Sequence, residues 1–193
     1  MALRYPNAAN RERFLKAAVA ELQEHGISDF SIRRVAKRCD VSCAAPYKHF
    51  ESRNDLLLEV VKFINKKWIT IFEQTVSSHS DKPLKVQIVA VCMAYLTFLC
   101  TYPEYQTILF MNDKGFPPDV LAEKGKLSKE SERLIKEYCE SVNMPDDVLF
   151  RKKLVIRSLL NGSAILIYSG ELPFESNTMG FIRANVEREF EIE

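Results

Sequence analysis

Glycine is scarce, with six in 193 residues, which excludes collagen-like or glycine-rich fibrous character. Net charge is scarce too. The 27 Lys and Arg stand against 26 Asp and Glu, so this is not a uniformly basic, histone-like chain. With 47% hydrophobic residues and a formal charge of +1, it is also too apolar to be disordered. The five cysteines, at 39, 43, 92, 100 and 139, include no C-x-x-C pair, and the histidines at 25, 49 and 79 complete no ligand set. No metal site is expected, and free buried thiols fit a reducing compartment. Catalytic signatures are missing: there is no G-x-S-x-G, no H-E-x-x-H, no phosphate-binding glycine loop and no dinucleotide fingerprint. The chain is therefore read as a non-enzyme, with no catalytic residue and no cofactor. Its first residues, MALRYPNAANRERF, lack the apolar region of a secretory signal. The longest apolar stretch, 88–100, is shorter than the roughly 20 residues a bilayer needs. A cytoplasmic protein without a membrane segment is expected.

What is present is helical periodicity. Phe14, Ala18 and Leu22 recur at i, i+4 and i+8 in 8–25, Asn7 or Asn10 can cap that helix, and Gly26 stops it. Ile32, Val35, Ala36 and Cys39 predict a short second helix capped by Ser31. A third, 43–48, is expected after the cap Ser42, with Pro46 in its first turn. Ser52-Arg53-Asn54-Asp55 reads as a capping box opening a long helix to about 76. A nearly all-apolar helix over 84–101 reads as central. Further helices are expected over 103–112, 119–142, from 146 or 147 to 168, and over 175–191. With no strand alternation, the chain reads as all-α, with about nine helices.

The charge balance hides a segregation. From 31 to 53 there are six basic residues (Arg33, Arg34, Lys37, Arg38, Lys48, Arg53) and two acidic ones, Asp40 and Glu51. That segment carries +4 in 23 residues, and the remainder sums to −3. Two short helices joined by a tight turn form a helix-turn-helix pattern, and a local basic face is what phosphate binding requires.

The run Phe30-Ser31-Ile32-Arg33-Arg34-Val35-Ala36, then Val41-Ser42, Tyr47-Lys48-His49-Phe50, Arg53 and Leu56-Leu57, resembles the TetR family of bacterial transcriptional regulators over about 10–60. The stretch from Ser158 to Ala164 is more weakly similar to the penultimate helix of one subgroup. Asp40 stands where the turn usually has Gly, and Asp tolerates left-handed backbone. The resemblance implies an N-terminal DNA-binding domain, 1–52, and a C-terminal ligand-binding and dimerisation domain, 53–193. It implies double-stranded DNA as partner, contacted by Ser31, Arg33, Ser42, Cys43, Ala44, Tyr47, Lys48, His49 and Arg53. Cys43-Ala44-Ala45 would read bases by apolar contact with thymine methyls, with Lys48 and Arg33 as polar readers. Arg33, Lys37 and Arg38 fit a DNA-facing surface and a solvated helix face equally. Phe14, Ile32, Val35, Val41 and Phe50 read as core.

The resemblance further implies a homodimer, through helices near 147–169 and 175–191, and a small-molecule effector. Candidate pocket residues are Trp68, Phe72, Met93, Tyr95, Phe98, Tyr105, Ile108 and Met111, although such a stripe is also ordinary core. No ionisable residue interrupts 88–100, which favours an apolar or amphipathic ligand. The implied function is a ligand-responsive regulator, by family habit a repressor, released from a palindromic operator by its effector. Alternatives are control by a protein partner, or by oxidation of Cys39 or Cys43 beside basic side chains.

Overall fold

A computed structural model describes residues 7–110 and 114–191. Among these there are nine α-helices and one 3-10 turn, and no strand. The helices are α1 (Asn7–His25), α2 (Ile32–Arg38), α3 (Arg53–Ser78), α4 (Leu84–Thr101), α5 (Pro103–Phe110), α6 (Pro118–Lys124), α7 (Lys126–Ser141), α8 (Asp146–Tyr168) and α9 (Ser176–Arg188). The 3-10 turn is Pro46–Lys48, between α2 and α3. The all-α expectation holds, and most boundaries fall within two or three residues of it.

Local chemistry explains the stops. Gly26 takes a left-handed φ of 69° after α1, and its N–H bonds the Leu22 carbonyl at 2.9 Å. Asn10 lies inside α1 and so does not cap it, while the side chain of Asn7 lies outside the described residues. At the start of α3, Asp55 N–H donates to Ser52 Oγ at 3.1 Å. The Asp55 carboxylate accepts from Glu51 N–H at 2.8 Å, so the capping box forms one residue wider than its usual pairing.

One expected helix is two. The 119–142 pattern divides at Gly125 into α6 and α7. Asn65 Nδ2, from α3, donates to the Glu123 carbonyl at 2.7 Å and to Glu123 Oε1 at 2.9 Å. It competes for the acceptor an unbroken helix would use four residues on. Glycine favours the break because it is a poor helix former.

The described residues form two compact units. One is drawn from Met1–Lys66 and Glu104–Lys126, the other from Lys67–Pro103 and Leu127–Glu193. In the first, α1 packs on α2, and Phe14, Leu22, Ile32, Val35, Phe50, Leu56 and Val60 are buried. Each such side chain contributes about 1.5–3 kcal/mol by leaving water. Val41 departs from the expected core, being 38% exposed.

In the second unit, α4 packs against α8 and α9. By length and composition α4 could cross a membrane, and half of its span is buried in protein. Trp68 is fully buried and donates from Nε1 to the Leu127 carbonyl at 3.0 Å. The α9 C-terminus is held by two side chains: Lys152 Nζ donates to the Glu189 carbonyl, and Tyr138 Oη to that of Phe190 at 2.7 Å. Outside this packing, α8 exposes Phe150, Leu154 and Ile165, and α9 exposes Phe181 at 73%.

Candidate nucleic-acid interface

The turn after α2 is set by backbone geometry. Asp40 adopts φ of 51°, as its residue type allows. Its N–H bonds the Lys37 carbonyl at 3.0 Å, and the Val41 N–H bonds the Ala36 carbonyl at 3.2 Å. This is the Schellman arrangement that normally uses Gly at the left-handed position. Ser31 sits at the N-cap of α2 with extended backbone, and its carbonyl accepts from Val35 N–H at 3.1 Å. Its hydroxyl makes no capping bond, contrary to expectation.

The expected third helix, 43–48, forms only as a turn followed by the 3-10 segment Pro46–Lys48. Ser42 accordingly does not cap a helix: the residue preceding the 3-10 segment is Ala45, which makes no side-chain capping bond. Pro46 supplies the reason. In a helix starting at Cys43, residue 46 would donate the first bond, to the Ser42 carbonyl, and proline has no N–H. That carbonyl instead accepts from Ala45 N–H at 2.9 Å, and His49 N–H bonds the Pro46 carbonyl at 2.9 Å.

Charges here sort into two groups. Glu21 of α1 is completely buried. It accepts a hydrogen bond from Arg34 Nε, and from Arg38 Nε at 3.2 Å. Arg38 also bonds Glu24, which with its own positive charge holds that carboxyl below the usual range. Arg34 bonds the Asp29 carbonyl as well. Arg53 is similarly engaged: it donates to the Ile27 carbonyl and to that of Phe30 at 3.3 Å, and lies over the Phe30 ring. Its part in the domain is therefore to tie α3 to the loop before α2. By contrast Arg33, Lys37 and Lys48 are exposed, with no acidic partner within 4 Å among the described residues.

The expected contact residues lie together on this segment. Ser42, Cys43 and Ala44 are exposed, and Tyr47 is 57% exposed. His49 is half-buried with its ring 5.4 Å from that of Phe14, so it also packs on α1. A concavity of about 510 Å³ lies between α2 and the turn, lined by Arg33, Arg34 and Lys37 and by residues 40–43. Sequence reasoning missed Glu21 and this concavity, and placed the exposed Val41 in the core. Glu21 had one legible signal, an acid on the apolar side of α1 next to Leu22.

Cys39 is buried, and that burial raises its thiol pKa, outweighing the Arg13 charge that lowers it. The expected activation of Cys39 by neighbouring cations is thus reversed. Cys43 is exposed, and all five cysteines are free.

Of the candidate effector residues, Trp68, Phe72, Tyr95 and Phe98 cluster in the second unit, with the Tyr95 ring 5.1 Å and edge-on to Trp68. Burial raises the Tyr95 hydroxyl to about 12. Met93 is half-buried there. Tyr105 and Ile108 are buried in the first unit, Tyr105 edge-on to Phe63. Met111 lies outside the described residues.

Among the described residues the fold is all-helical, and its N-terminal part joins α2 through a left-handed turn to a short 3-10 segment that stands where a helix-turn-helix has its second helix. Residues 14–60 match the model for bacterial regulatory proteins of the tetR family. That match covers 47 of the 193 residues, the segment that holds α2, the left-handed turn and the start of α3. It is 30% identical over 88 residues to an HTH-type transcriptional regulator of Staphylococcus aureus, a match covering 45% of each chain. The matched span is thus under half the length of that relative. The fold is similar to that of a TetR family transcription regulator from Marinobacter aquaeolei VT8, with TM-score 0.75 and 16% identity, over 95% of this chain and 96% of that one. It is also similar to the regulator FadR from Bacillus subtilis in complex with stearoyl-CoA, with TM-score 0.69 and 12% identity, over 93% and 96%.

Proposed function

We propose that this regulator is a repressor that binds a palindromic operator as a homodimer and is released by a small apolar or amphipathic effector. The observation that carries the reading is the sorting of cations. Arg34, Arg38 and Arg53 are engaged within the protein, whereas Arg33, Lys37 and Lys48 face solvent beside Tyr47 and Ser42. Free cations on one short segment are what phosphate contact requires. Residues 1–52 would be the DNA-binding domain and 53–193 the effector and dimerisation domain. In that scheme Ser31, Ser42, Tyr47 and His49 meet phosphates, Arg33 and Lys48 read base edges, Cys43 and Ala44 touch apolar ones, and Arg53 acts by positioning.

The exposed apolar residues of α8 and α9, two helices packed on each other, support self-association, because exposed apolar side chains gathered on one region mark contact surfaces. A two-fold dimer would place the two turns in successive major grooves, about 34–36 Å apart. The aromatic cluster around Trp68 and the fold likeness to a stearoyl-CoA complex support an amphipathic effector. Release requires only that the effector bind two conformers unequally. Helix α3, continuous from 53 to 78, is the covalent link through which such a shift would pass. The protein acts in the cytoplasm, where its DNA is.

Binding to the DNA preceding its own gene, measured against salt, tests the reading. Lys48→Ala is expected to weaken binding and reduce the salt slope by about one per protomer, and Tyr47→Ala to weaken binding alone. Full-strength binding by both variants overturns the site assignment.

A further inference from the structure

The concavity between α2 and the turn is lined by the apolar Val41 and by Cys43 as well as by cations. We propose that it reads the 5-methyl group of thymine in the major groove, with Val41 and Cys43 as the specificity-determining residues. The proposal rests on the operator-binding reading above. It adds which base feature is read and where.

Val41 is the main observation. It is an aliphatic residue, 38% exposed, in a segment where its neighbours Val35 and Ala36 are fully buried. The left-handed Asp40 places Val41 after the helix end, so its side chain lines the concavity and does not join the core. Cys43, also exposed, completes the apolar lining, and Ser42 between them brings only a short hydroxyl. From 41 to 45 no side chain has the amide or guanidinium fork that makes bidentate contacts with purines. The chemistry on offer at this point of the turn is therefore van der Waals contact.

Charge decides what can enter. Arg33 and Lys37 are among its lining residues, and their charges attract DNA. Asp40 also lines it and is exposed. A carboxylate there repels a phosphate group, which leaves a base edge as the part of the duplex to face Val41 and Cys43. Thymine is the one standard base with a methyl group in the major groove. Arg34 also lines the concavity, but its guanidinium is committed to Glu21 and to the Asp29 carbonyl.

The test alters the DNA, so folding is not in question. Duplexes selected from a random-sequence library by the full-length protein give a preferred site, and each thymine in it is then replaced by deoxyuridine, which removes only the methyl. At one or two positions per half-site, affinity is expected to fall about four-fold for each methyl lost, the equivalent of one buried methyl-sized group. In the protein with Val41→Ala and Cys43→Ser the same replacement is expected to have no effect. Unchanged affinity for every uracil duplex overturns the proposal. So does an unchanged penalty in the double variant, which would place methyl contact elsewhere. Failure to enrich any site, together with no salt-dependent binding to duplex DNA, overturns the operator-binding reading itself and is readily told apart.

Discussion

Glu21 on α1 and Arg38 on α2 form an ion pair, Nε to Oε2 at 3.2 Å, in which the carboxylate is wholly buried. Arg34 approaches the other oxygen of the same carboxylate. One acid on the first helix thus orients two of the four cations on the second. Because α2 is only seven residues long, those two anchors also set where Arg33 and Lys37 point.

Replacing Glu21 by Gln keeps the shape and removes the charge. The two guanidiniums are about a third exposed, so solvent screens part of the loss. A destabilisation of about 1–3 kcal/mol is expected, with weaker DNA binding because α2 loses its anchors. Thermal unfolding and DNA titration at one salt concentration check both. A variant as stable as the parent would show that the pair only breaks even against its desolvation.

Asp40 tests the turn. Asp40→Gly is expected to be neutral or slightly stabilising, because glycine accepts φ of 51° without strain. Asp40→Val places a β-branched residue in the left-handed region and should cost about 1–2 kcal/mol. Chemical denaturation of the pair of variants measures the difference, and equal stability would argue against a left-handed turn.

Acid should loosen the first unit. Burial raises the Glu59 and Glu123 carboxyls, but hydrogen bonds from Lys62 and Arg11, and from Lys126 and Asn65, outweigh it and leave both below the usual value. Glu24 is lowered by its hydrogen bond to Arg38. A carboxyl depressed in the folded state contributes its full stability above the unfolded value, about 4.3, and loses it as pH falls through the lower folded value. The thermal midpoint is therefore expected to drop as pH is lowered from about 4.3, with Glu59→Gln less stable at neutral pH and less sensitive to acid. A midpoint that stays constant from pH 5 to 3 contradicts this.

Self-association is open to a surface substitution. Phe181 is 73% exposed, so Phe181→Glu leaves the packing of the single chain intact. Sedimentation is expected to show the monomer mass. Operator affinity should fall on the order of a hundred-fold, as two linked half-site contacts become one. A variant that remains dimeric moves the interface off this part of α9.

Much of the fold was legible because long helices advertise themselves by period. The stripes of 8–25 and 53–76, and the all-apolar 84–101, correspond to α1, α3 and α4. The split at Gly125 was not legible, since it depends on Asn65, 58 residues away in sequence. Nor was the loss of the third helix read from Pro46, although the missing N–H stands in the sequence itself.

The sequence by itself determined the helical class, the position of the left-handed turn and the local concentration of basic charge, because these follow from residue type, spacing and short-range hydrogen bonding. Only the tertiary structure decided which of those charges remain available. Arg34, Arg38 and Arg53 are as basic as Arg33 and Lys48 in any tally of the chain. Whether a guanidinium faces solvent or a buried carboxylate depends on what the neighbouring helix places against it, and no count along the chain contains that.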